Sequence, residues 1–495
     1  MAEDVIAQAP AGRLRGRRDG QALRFLGIPY AQSPEIAGRF AAPVPHPGWD
    51  GVRDALSYGA SSPQPERGVT VIPEPLIAGD NELNLNIFTP DLGAAGLPVL
   101  VWIHGGGFAA GCSSSPWYRG QGFARDGVVL VTINYRLGAP GFLQVPDAPV
   151  NRGVRDWVRA LEWVHENIAA FGGDPAKVTV AGQSAGGGAC AALPGVPAAA
   201  GLFRGLICMS GGPAMLQTPD GVAAVAGQVR EHLGVPLSQA ALEELSTEAI
   251  LTAQAAVANR PADPRSPDSV RRALEGIKLQ WAPWVDGEVV AADPWQTARS
   301  GAYNAIPMLT GATANEVNPS WMAADWVTGE MVRAGLAKVG VPEPQLDRYL
   351  NKYAGLPPGE LVGQAVGDRT FRAEAQELAA VKAAAGGPAY VYDFRWGSQA
   401  DKYRGLSIHS LEIPFVFDTL GEAGVTEAAG AAPPQDLATG MHRAWVRFVT
   451  DGEPGWRRYE AGQRAVMVFS AASEVQSDPL RVEREAWSDA ITAGQ

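Results

Sequence analysis

The sequence predicts an α/β protein with a large, mostly parallel central sheet flanked by helices. Short apolar runs such as LPVLVWI at 97–103 and VVLVTIN at 128–134 have the length and composition of strands buried on both faces. A segment with helical spacing follows them, with apolar positions from Val154 to Ile168. Strands that alternate with helices at this spacing favour βαβ units and a parallel sheet.

Four more strands are predicted later in the chain: KVTVAG at 177–182, LFRGLICMS at 202–210, IPMLT at 306–310 and PAYVYDF at 388–394. Two stretches, about 221–256 and 325–385, are rich in Ala, Leu, Glu and Gln. We expect them to be helical insertions that cover one end of the sheet. Because no low-complexity linker interrupts the pattern, we expect one domain over residues 1–495.

Composition excludes several classes of protein. The 495 residues carry a formal charge of −12 and have a pI of about 5.1, which argues against nucleic acid and anionic membranes as partners. The apolar runs are too short to span a bilayer, and the first residues do not have the pattern of a secretory signal. Cys112, Cys190 and Cys208 are too few and too scattered for a disulfide framework or a zinc site, so a reducing cytoplasm is expected.

The stretch AGQSAGGGA at 181–189 surrounds one serine, Ser184, with small residues. Gly182 to Gly186 match the pattern G-x-S-x-G, in which the serine sits on a strained turn between a strand and a helix. The predicted strand KVTVAG precedes this serine, and a helix of small residues follows it. We therefore predict that Ser184 is a nucleophile. The alternative is a glycine-rich helix N-terminus with a capping serine.

A nucleophilic serine needs a base, and His232, His409 and His442 are the histidines that follow Ser184. His232 and His442 lie in stretches with helical patterns. His409 lies in a loop, RGLSIHSLEIPF, after a predicted strand, where open sheets place their site residues. We predict His409 as the base.

A carboxylate is needed to orient the base. Glu316 follows the predicted strand IPMLT in the segment ATANEVN, again at the carboxyl end of a strand. Asp286 and Glu412 are the competitors; Asp286 lies in an expected turn, and Glu412 is very close to His409 in the chain. We predict Glu316.

The glycines of HGGG at 104–107 follow a predicted strand and suit an oxyanion hole. The expected amide donors are those of Gly106, Gly107 and Ala185. A rival interpretation is a dinucleotide site, because Gly105 to Ala110 formally fit G-x-G-x-x-A. That motif must open a helix, and GCSSSPWYRG, which comes next, is poor helix sequence.

With these motifs in place, the sequence resembles the type-B carboxylesterases, the carboxylesterase/cholinesterase family with the α/β-hydrolase fold. The resemblance runs nearly end to end. It is carried by FLGIPYAQSP, GRFAAPVPHPGWDGVRDALSYG, LNLNIFTP, PVLVWIHGGGFAAG, VTINYRLGAPGFL, FGGDPAKVTVAGQSAGG, LFRGLICMSGG, GATANE, HSLEIPFVF and HRAWVRFVTDGEPGW. It implies the same nucleophile, acid, base and oxyanion amides.

The resemblance also implies roles that the residues alone do not. Ser210 would supply a hydroxyl near Glu316, and Arg39 would pair with Asp80. Gln183 departs from the glutamate that usually precedes the serine. The family's N-terminal cysteine pair is missing as well; its positions fall at Ser62 and Glu82.

The resulting hypothesis is a serine carboxylic-ester hydrolase that acts through an acyl-enzyme on small to medium neutral esters, without a cofactor, as a monomer or weak homo-oligomer. A carbamate or amide hydrolase with the same triad, or a non-catalytic cholinesterase-like binding protein, are the alternatives. An apolar, aromatic substrate pocket is expected from Phe108, Met215, Trp281, Trp284, Trp321 and Trp326.

Overall fold

The computed structural model describes residues 3–68, 70–257 and 265–492. Thirteen strands among these residues form one sheet. The strands are β1 Asp4–Ala9, β2 Gly12–Asp19, β3 Ala22–Pro29, β4 Val52–Asp54, β5 Asn84–Thr89, β6 Leu97–Ile103, β7 Val129–Ile133, β8 Gly173–Gln183, β9 Gly205–Met209, β10 Met308–Thr313, β11 Ala389–Phe394, β12 Ala465–Phe469 and β13 Glu474–Ser477.

The strand order is β1-β2-β3-β5-β7-β6-β8-β9-β10-β11-β12-β13, with β4 beside β2. The seven strands from β7 to β12 in this order are parallel. Antiparallel pairs extend the sheet at both ends. The prediction of a mostly parallel central sheet is confirmed, and all six predicted strands are present.

Helices flank the sheet, and a π-helix at Asp368–Ala373 joins two of them. The α-helices are α1 Pro34–Ala37, α2 Gln121–Arg125, α3 Gly138–Phe142, α4 Arg152–Asn167, α5 Ala185–Ala192, α6 Pro219–Leu233, α7 Gln239–Glu243, α8 Thr247–Ala256, α9 Pro267–Leu274, α10 Pro294–Ser300, α11 Gly329–Lys338, α12 Glu343–Lys352, α13 Pro358–Gly367, α14 Glu374–Ala384, α15 Ile413–Phe417, α16 Val425–Ala429, α17 Gln435–Asp451 and α18 Arg481–Thr492.

Helices α6 to α8 occupy the first stretch expected to be a helical insertion, and α11 to α14 occupy the second. Ser and Thr side chains cap several of them; Thr218, for example, accepts a hydrogen bond from the amide of Gly221 at the start of α6. The assignment of residues 1–495 to one domain stays a prediction. Within the described ranges, no helix combines the length and apolarity that a membrane span needs.

The two faces of the sheet carry separate apolar cores, because successive side chains of a strand point to opposite faces. On β6, Val99 and Val101 belong to the core that contains Trp157 of α4. Leu100 and Trp102 belong to the core on the other face. A third apolar cluster lies among the later helices. Burial on both faces explains why the central strands are continuous apolar runs.

The carboxyl ends of the parallel strands meet along one edge of the sheet. Hydrogen bonds link these ends in turn: Ser184 N donates to Met209 O at 2.9 Å, and Ser210 N donates to Gly311 O at 2.8 Å. Ala314 N donates to Phe394 O at 2.9 Å. The loops that follow β6, β8, β9, β10 and β11 are therefore brought together at this edge, where open α/β sheets build their sites.

Candidate active site

Ser184 stands on a sharp turn between β8 and α5. Its backbone has φ 58° and ψ −124°, a strained conformation for a residue with a side chain. A Cβ atom at Gly182 would lie 2.3 Å from Gly186 O, and one at Gly186 would lie 2.0 Å from Ile103 O. The two glycines are needed because the turn packs directly against itself and against the end of β6. The structure thus has the strand–turn–helix geometry that the motif predicts.

The glycine loop after β6 lies against this turn. A Cβ atom at Gly105 would be 3.1 Å from Ser184 Cβ. Gly106 has φ 106° and Gly107 has φ 64°, and the carbonyl of Gly106 accepts hydrogen bonds from the amides of Ala109 and Ala110. Ala185 is the first residue of α5. The three predicted oxyanion donors therefore belong to two segments that meet at Ser184.

His104 anchors the N-terminal end of the glycine loop. Its ring stacks on Tyr135, with 4.6 Å between the ring centroids, and its Nδ1 lies 2.8 Å from Gly105 O. Burial lowers the pKa of His104 to about 4. The ring is therefore neutral at ordinary pH, and its Nδ1–H can donate to the Gly105 carbonyl.

Glu316 and His409 are in direct contact, through Glu316 Oε2 and His409 Nδ1. The Glu316 side chain is fully buried, whereas the His409 side chain keeps 32% of its exposure and is reachable from outside. Their two loops are tied together: Asn315 N donates to Ser407 O at 2.9 Å, and Ser407 N donates to Asn315 Oδ1 at 3.0 Å. The structure brings together the predicted acid and the predicted base.

Ser210 sits between two carboxylates. Its hydroxyl donates to Glu316 Oε1 at 2.6 Å and lies 3.3 Å from Glu412 Oε1. The amide of Thr313 donates to the same oxygen of Glu316 at 2.7 Å. Ser210 is thus where the resemblance implies, and Glu316 has the contacts of an anchored carboxylate.

Glu412 differs from an ordinary glutamate in its protonation. Burial, and then the charge of Glu316, raise the pKa of Glu412 to about 8. Glu412 is therefore mostly protonated at neutral pH, and Glu316 is the carboxylate in contact with His409. Burial alone would lower the pKa of His409, but the charge of Glu316 and its hydrogen bond outweigh burial and raise it.

The Nε2 atom of His409 faces Gln183, the residue before Ser184. Gln183 Nε2 lies 3.2 Å from it. The ring of Phe371, on the π-helix, packs against the imidazole with 5.2 Å between the ring centroids. His409 therefore contacts Glu316 through Nδ1 and, through Nε2, the residue that precedes Ser184; the resting partner of Nε2 is the glutamine amide.

The other candidate residues are accounted for elsewhere. Asp286 holds a turn, where it accepts hydrogen bonds from the amides of Glu288, Val289 and Val290. His232 is exposed on α6. His442 is buried in α17, with its Nδ1 2.7 Å from Val416 O.

The expected pairing of Arg39 with Asp80 is wrong. The guanidinium of Arg39 instead donates to the carbonyls of Glu243 and Leu245, at 2.7 and 2.6 Å, and lies 3.5 Å from the Glu243 carboxylate. Arg39 therefore anchors helix α7 of the first helical insertion to the N-terminal part of the chain.

A cavity lies next to His409, and a second cavity shares three lining residues with it. The smaller, of about 320 Å³, is lined by His409, Glu316, Pro319, Ser320, Ile408, Val71, Lys402 and Tyr403. The larger, of about 710 Å³, shares Val71, Lys402 and Tyr403 with it and is otherwise lined by Gln64, Pro65, Glu66, Arg67, Gly68, Thr70, Pro73, Glu74, Leu76, Gly424, Glu427 and Ala428. A third cavity, of about 300 Å³, is lined in part by Leu279, which lies 3.6 Å from the Cβ position of Gly107.

The six residues predicted to form an aromatic pocket line none of these three cavities. Phe108 is buried in the core against Phe142 and Trp157, and Met215 and Trp281 belong to the same core. The other three predicted residues, Trp284, Trp321 and Trp326, are half-buried and line none of the three cavities. These large apolar side chains contribute more to stability by packing than by exposure to a pocket.

Several residues of the site were missed in the sequence. Phe371 lies within a stretch predicted only as helical, and nothing in its local pattern marks it. Lys402 and Tyr403 precede His409 in its own loop, which is the signal that could have found them. Gln183 carried a signal too, because it is the one large residue beside Ser184.

Comparisons with known proteins agree with this geometry. The Carboxylesterase family model matches residues 3–334. The chain is 33% identical to the para-nitrobenzyl esterase of Bacillus subtilis, over 97% of this chain and 98% of that protein. It is 33% identical to the fumonisin B1 esterase of Sphingopyxis macrogoltabida, over 94% and 86%. The crystal structure of the Geobacillus stearothermophilus carboxylesterase EST55 superposes with a TM-score of 0.84 at 34% identity, over 97% and 99%. The chain has the α/β-hydrolase fold and belongs to the carboxylesterase family.

Proposed function

We propose that this carboxylic ester hydrolase works through Ser184 as nucleophile, His409 as base and Glu316 as the acid that orients the base. The observation that carries the proposal is the contact between Glu316 and His409 beside a serine held at positive φ. A buried carboxylate on Nδ1 keeps the imidazole proton on that nitrogen and leaves Nε2 as the proton acceptor.

In the proposed reaction, His409 Nε2 takes the proton of Ser184 as Oγ attacks the ester carbonyl. The amides of Gly106, Gly107 and Ala185 stabilise the oxyanion, each by a factor on the order of 10²–10³ in rate. The imidazolium then gives its proton to the departing alcohol, which leaves an acyl-enzyme. Water then attacks the acyl-enzyme while His409 takes its proton. The imidazolium returns the proton to Ser184 Oγ, and the acid is released.

The cavities support small to medium neutral esters as substrates. The cavity next to the base has apolar walls from Val71, Pro319 and Ile408, and its volume of about 320 Å³ is at the lower end of ordinary ligand pockets. We propose that the alcohol portion lies there and that the acyl group extends past Gly107 toward Leu279, where the third cavity is of similar size.

The test is hydrolysis of p-nitrophenyl esters of increasing acyl length, with a p-nitroanilide as the amide counterpart. We expect the short and medium esters to be cleaved and the anilide to be cleaved far more slowly. Ser184→Ala should abolish hydrolysis, whereas Ser473→Ala, at an exposed serine, should have no effect. Full activity in Ser184→Ala would refute the assignment, and faster cleavage of the anilide would favour an amide hydrolase.

We also propose that the enzyme works in the cytoplasm of a bacterium. The three cysteines are buried free thiols, and Ser62 and Glu82 stand where the resembling family has a cysteine pair. Cell fractionation with an antibody should find the protein in the cytoplasmic fraction; recovery from the medium or the cell envelope would contradict this.

A further inference from the structure

Gln183 occupies the point where three parts of the site meet. It is the last residue of β8, it directly precedes Ser184, and its side chain is buried. The glycine loop packs on it, since a Cβ atom at Gly105 would lie 2.7 Å from its carbonyl oxygen and 3.3 Å from its Oε1. Its Nε2 lies 3.2 Å from Nε2 of His409. The position of this amide is therefore fixed on several sides.

The direction of this hydrogen bond follows from the proton inventory. Nδ1 of His409 faces the Glu316 carboxylate and must carry a proton to bond to it. In a neutral imidazole, Nε2 is then a lone-pair acceptor. The amide nitrogen of Gln183 has only N–H groups to offer, so it donates to Nε2. This is the same lone pair that must accept the Ser184 proton.

The other end of the amide is uncommitted. Oε1 of Gln183 is buried and has no hydrogen-bond partner among the residues that the structure describes. The Gln183 amide can be oriented with either Nε2 or Oε1 toward His409. Since Oε1 has no other partner among the described residues, these two orientations differ in their contact with His409. With Oε1 toward Nε2, the amide would instead match an imidazolium, whose Nε2 carries a proton.

The remaining groups around His409 define its charge environment. Glu316 contacts Nδ1, and Glu412, in the same loop as His409, raises the pKa of the ring. Lys402 lines the cavity that His409 also lines. Phe371 covers part of the ring. Gln183 is the neutral polar side chain at Nε2.

We propose that Gln183 is a positioning residue for the catalytic base: its amide holds the resting imidazole neutral by donating to Nε2, and it releases this atom to Ser184 when an ester enters. The inference rests on the proposed function of Ser184 and His409. It implies that His409 stays neutral down to a lower pH than it would if a carboxylate stood at position 183.

The test is the protonation of His409, followed by NMR in protein labelled with ¹⁵N-histidine; the chain has 6 histidines, and His409→Asn identifies the signal. In Gln183→Met, which keeps the side-chain length but removes the donor, the midpoint should move to higher pH by about half a unit, the equivalent of one lost hydrogen bond. In Gln183→Glu, a carboxylate at the same place should raise it by about one unit or more. The acid limb of kcat/KM should move in parallel.

Gln463→Glu is the matched control, because it makes the same change of charge at an exposed turn and should leave the midpoint unchanged. The proposal is overturned if Gln183→Met unfolds at the same temperature as the parent protein and His409 titrates in it with the same midpoint as in the parent. Failure of the proposed function looks different: Ser184→Ala would keep full activity, although the imidazole titration could still show the predicted shifts.

Discussion

Two buried groups of acidic residues in this molecule are built on opposite principles. The catalytic group contains Glu316 and Glu412 around Ser210, with His409 as the titratable base that contacts it. The second group, among the later helices and β11, contains Asp368, Asp393 and Glu483. Arg372 contacts all three carboxylates, with Lys352 on Glu483 and Arg395 on Asp393.

The difference lies in the cations. In the second group, burial would raise the pKa values of Asp393 and Glu483, but Arg372 together with Arg395 or Lys352 outweighs burial and lowers both, whereas burial raises the pKa of Asp368 to about 6. In the catalytic group, permanent positive charge is replaced by a proton on Glu412 and by a base that can gain one. The first arrangement fixes structure, and the second keeps a site that can accept charge during a reaction.

The two groups are joined by one short segment. Arg372 and Phe371 are adjacent on the π-helix Asp368–Ala373; the arginine is anchored in the second group, and the phenylalanine ring packs on His409. π-helical turns are rare and often occur at functional sites. The group around Arg372 thus helps to hold Phe371 in its position against His409.

The largest effect is expected from Glu316→Gln, which removes the charge that contacts His409. We expect kcat with p-nitrophenyl acetate to fall by about 10³–10⁴, as when a triad carboxylate becomes an amide. The matched comparison is Glu412→Gln, which replaces a mostly protonated acid with a neutral amide and should cost less than about tenfold, the equivalent of one pKa unit. Equal losses in the two variants would show that both carboxylates act on the base.

The second prediction concerns the group that contains Asp368, Asp393 and Glu483. Arg372→Met leaves its carboxylates without their shared cation and should lower the free energy of unfolding by about 3–5 kcal/mol, measured with urea. The exposed Arg333, paired with Glu343 and Asp347, is the control; Arg333→Met should leave the free energy of unfolding nearly unchanged. Should Arg372→Met fail to fold, Tyr353→Phe removes a hydrogen bond to Glu483 more gently. Equal costs for Arg372→Met and Arg333→Met, or no loss of stability in Tyr353→Phe, would contradict this interpretation.

The third effect is the pH dependence of kcat/KM. Because the reaction needs a neutral His409 and the pKa of His409 is raised, activity should fall as the pH drops through a midpoint above the ordinary value of about 6.5. Below the midpoint, the loss approaches tenfold for each pH unit. A midpoint below 6.5 would mean that burial, rather than Glu316, controls the base.

The fourth prediction concerns the pH dependence of stability in Glu412→Gln. The pKa of Glu412 is about 8 in the folded chain and about 4.5 ordinarily, so the folded chain holds a proton that the unfolded chain loses between these values. The parent should therefore lose stability, relative to the variant, as the pH rises through this window, by up to about 1.4 kcal/mol for each pH unit. Parallel stability curves between pH 5 and 8 would show that Glu412 is ionised in the fold.

Much of the fold could be predicted because the parallel strands are buried on both faces and appear as continuous apolar runs. The N-terminal antiparallel strands were not predicted. Strand β2, GRLRGRRD, carries charges that its position near the edge of the sheet leaves partly exposed. Such a strand has no pattern that separates it from a loop.

The candidate site could be predicted as far as chain order and strand ends determine it. The three proposed triad residues follow three different strands, and the parallel sheet brings the loops that carry them to one edge. The contacts of Arg39 and Gln183 could not be predicted, because they depend on how a helix docks and how a side chain turns. The role of the tryptophans could not be settled from the sequence, because aromatic residues that pack and aromatic residues that bind have the same appearance there.

The most direct test of the central claim is covalent labelling by an organophosphate ester, followed by peptide mapping. If Ser184 is the nucleophile and His409 its base, one phosphoryl group per chain should appear on the peptide that contains Ser184, and His409→Asn should slow the reaction strongly. A label on another serine, or no label on folded and ester-hydrolysing protein, would contradict the account.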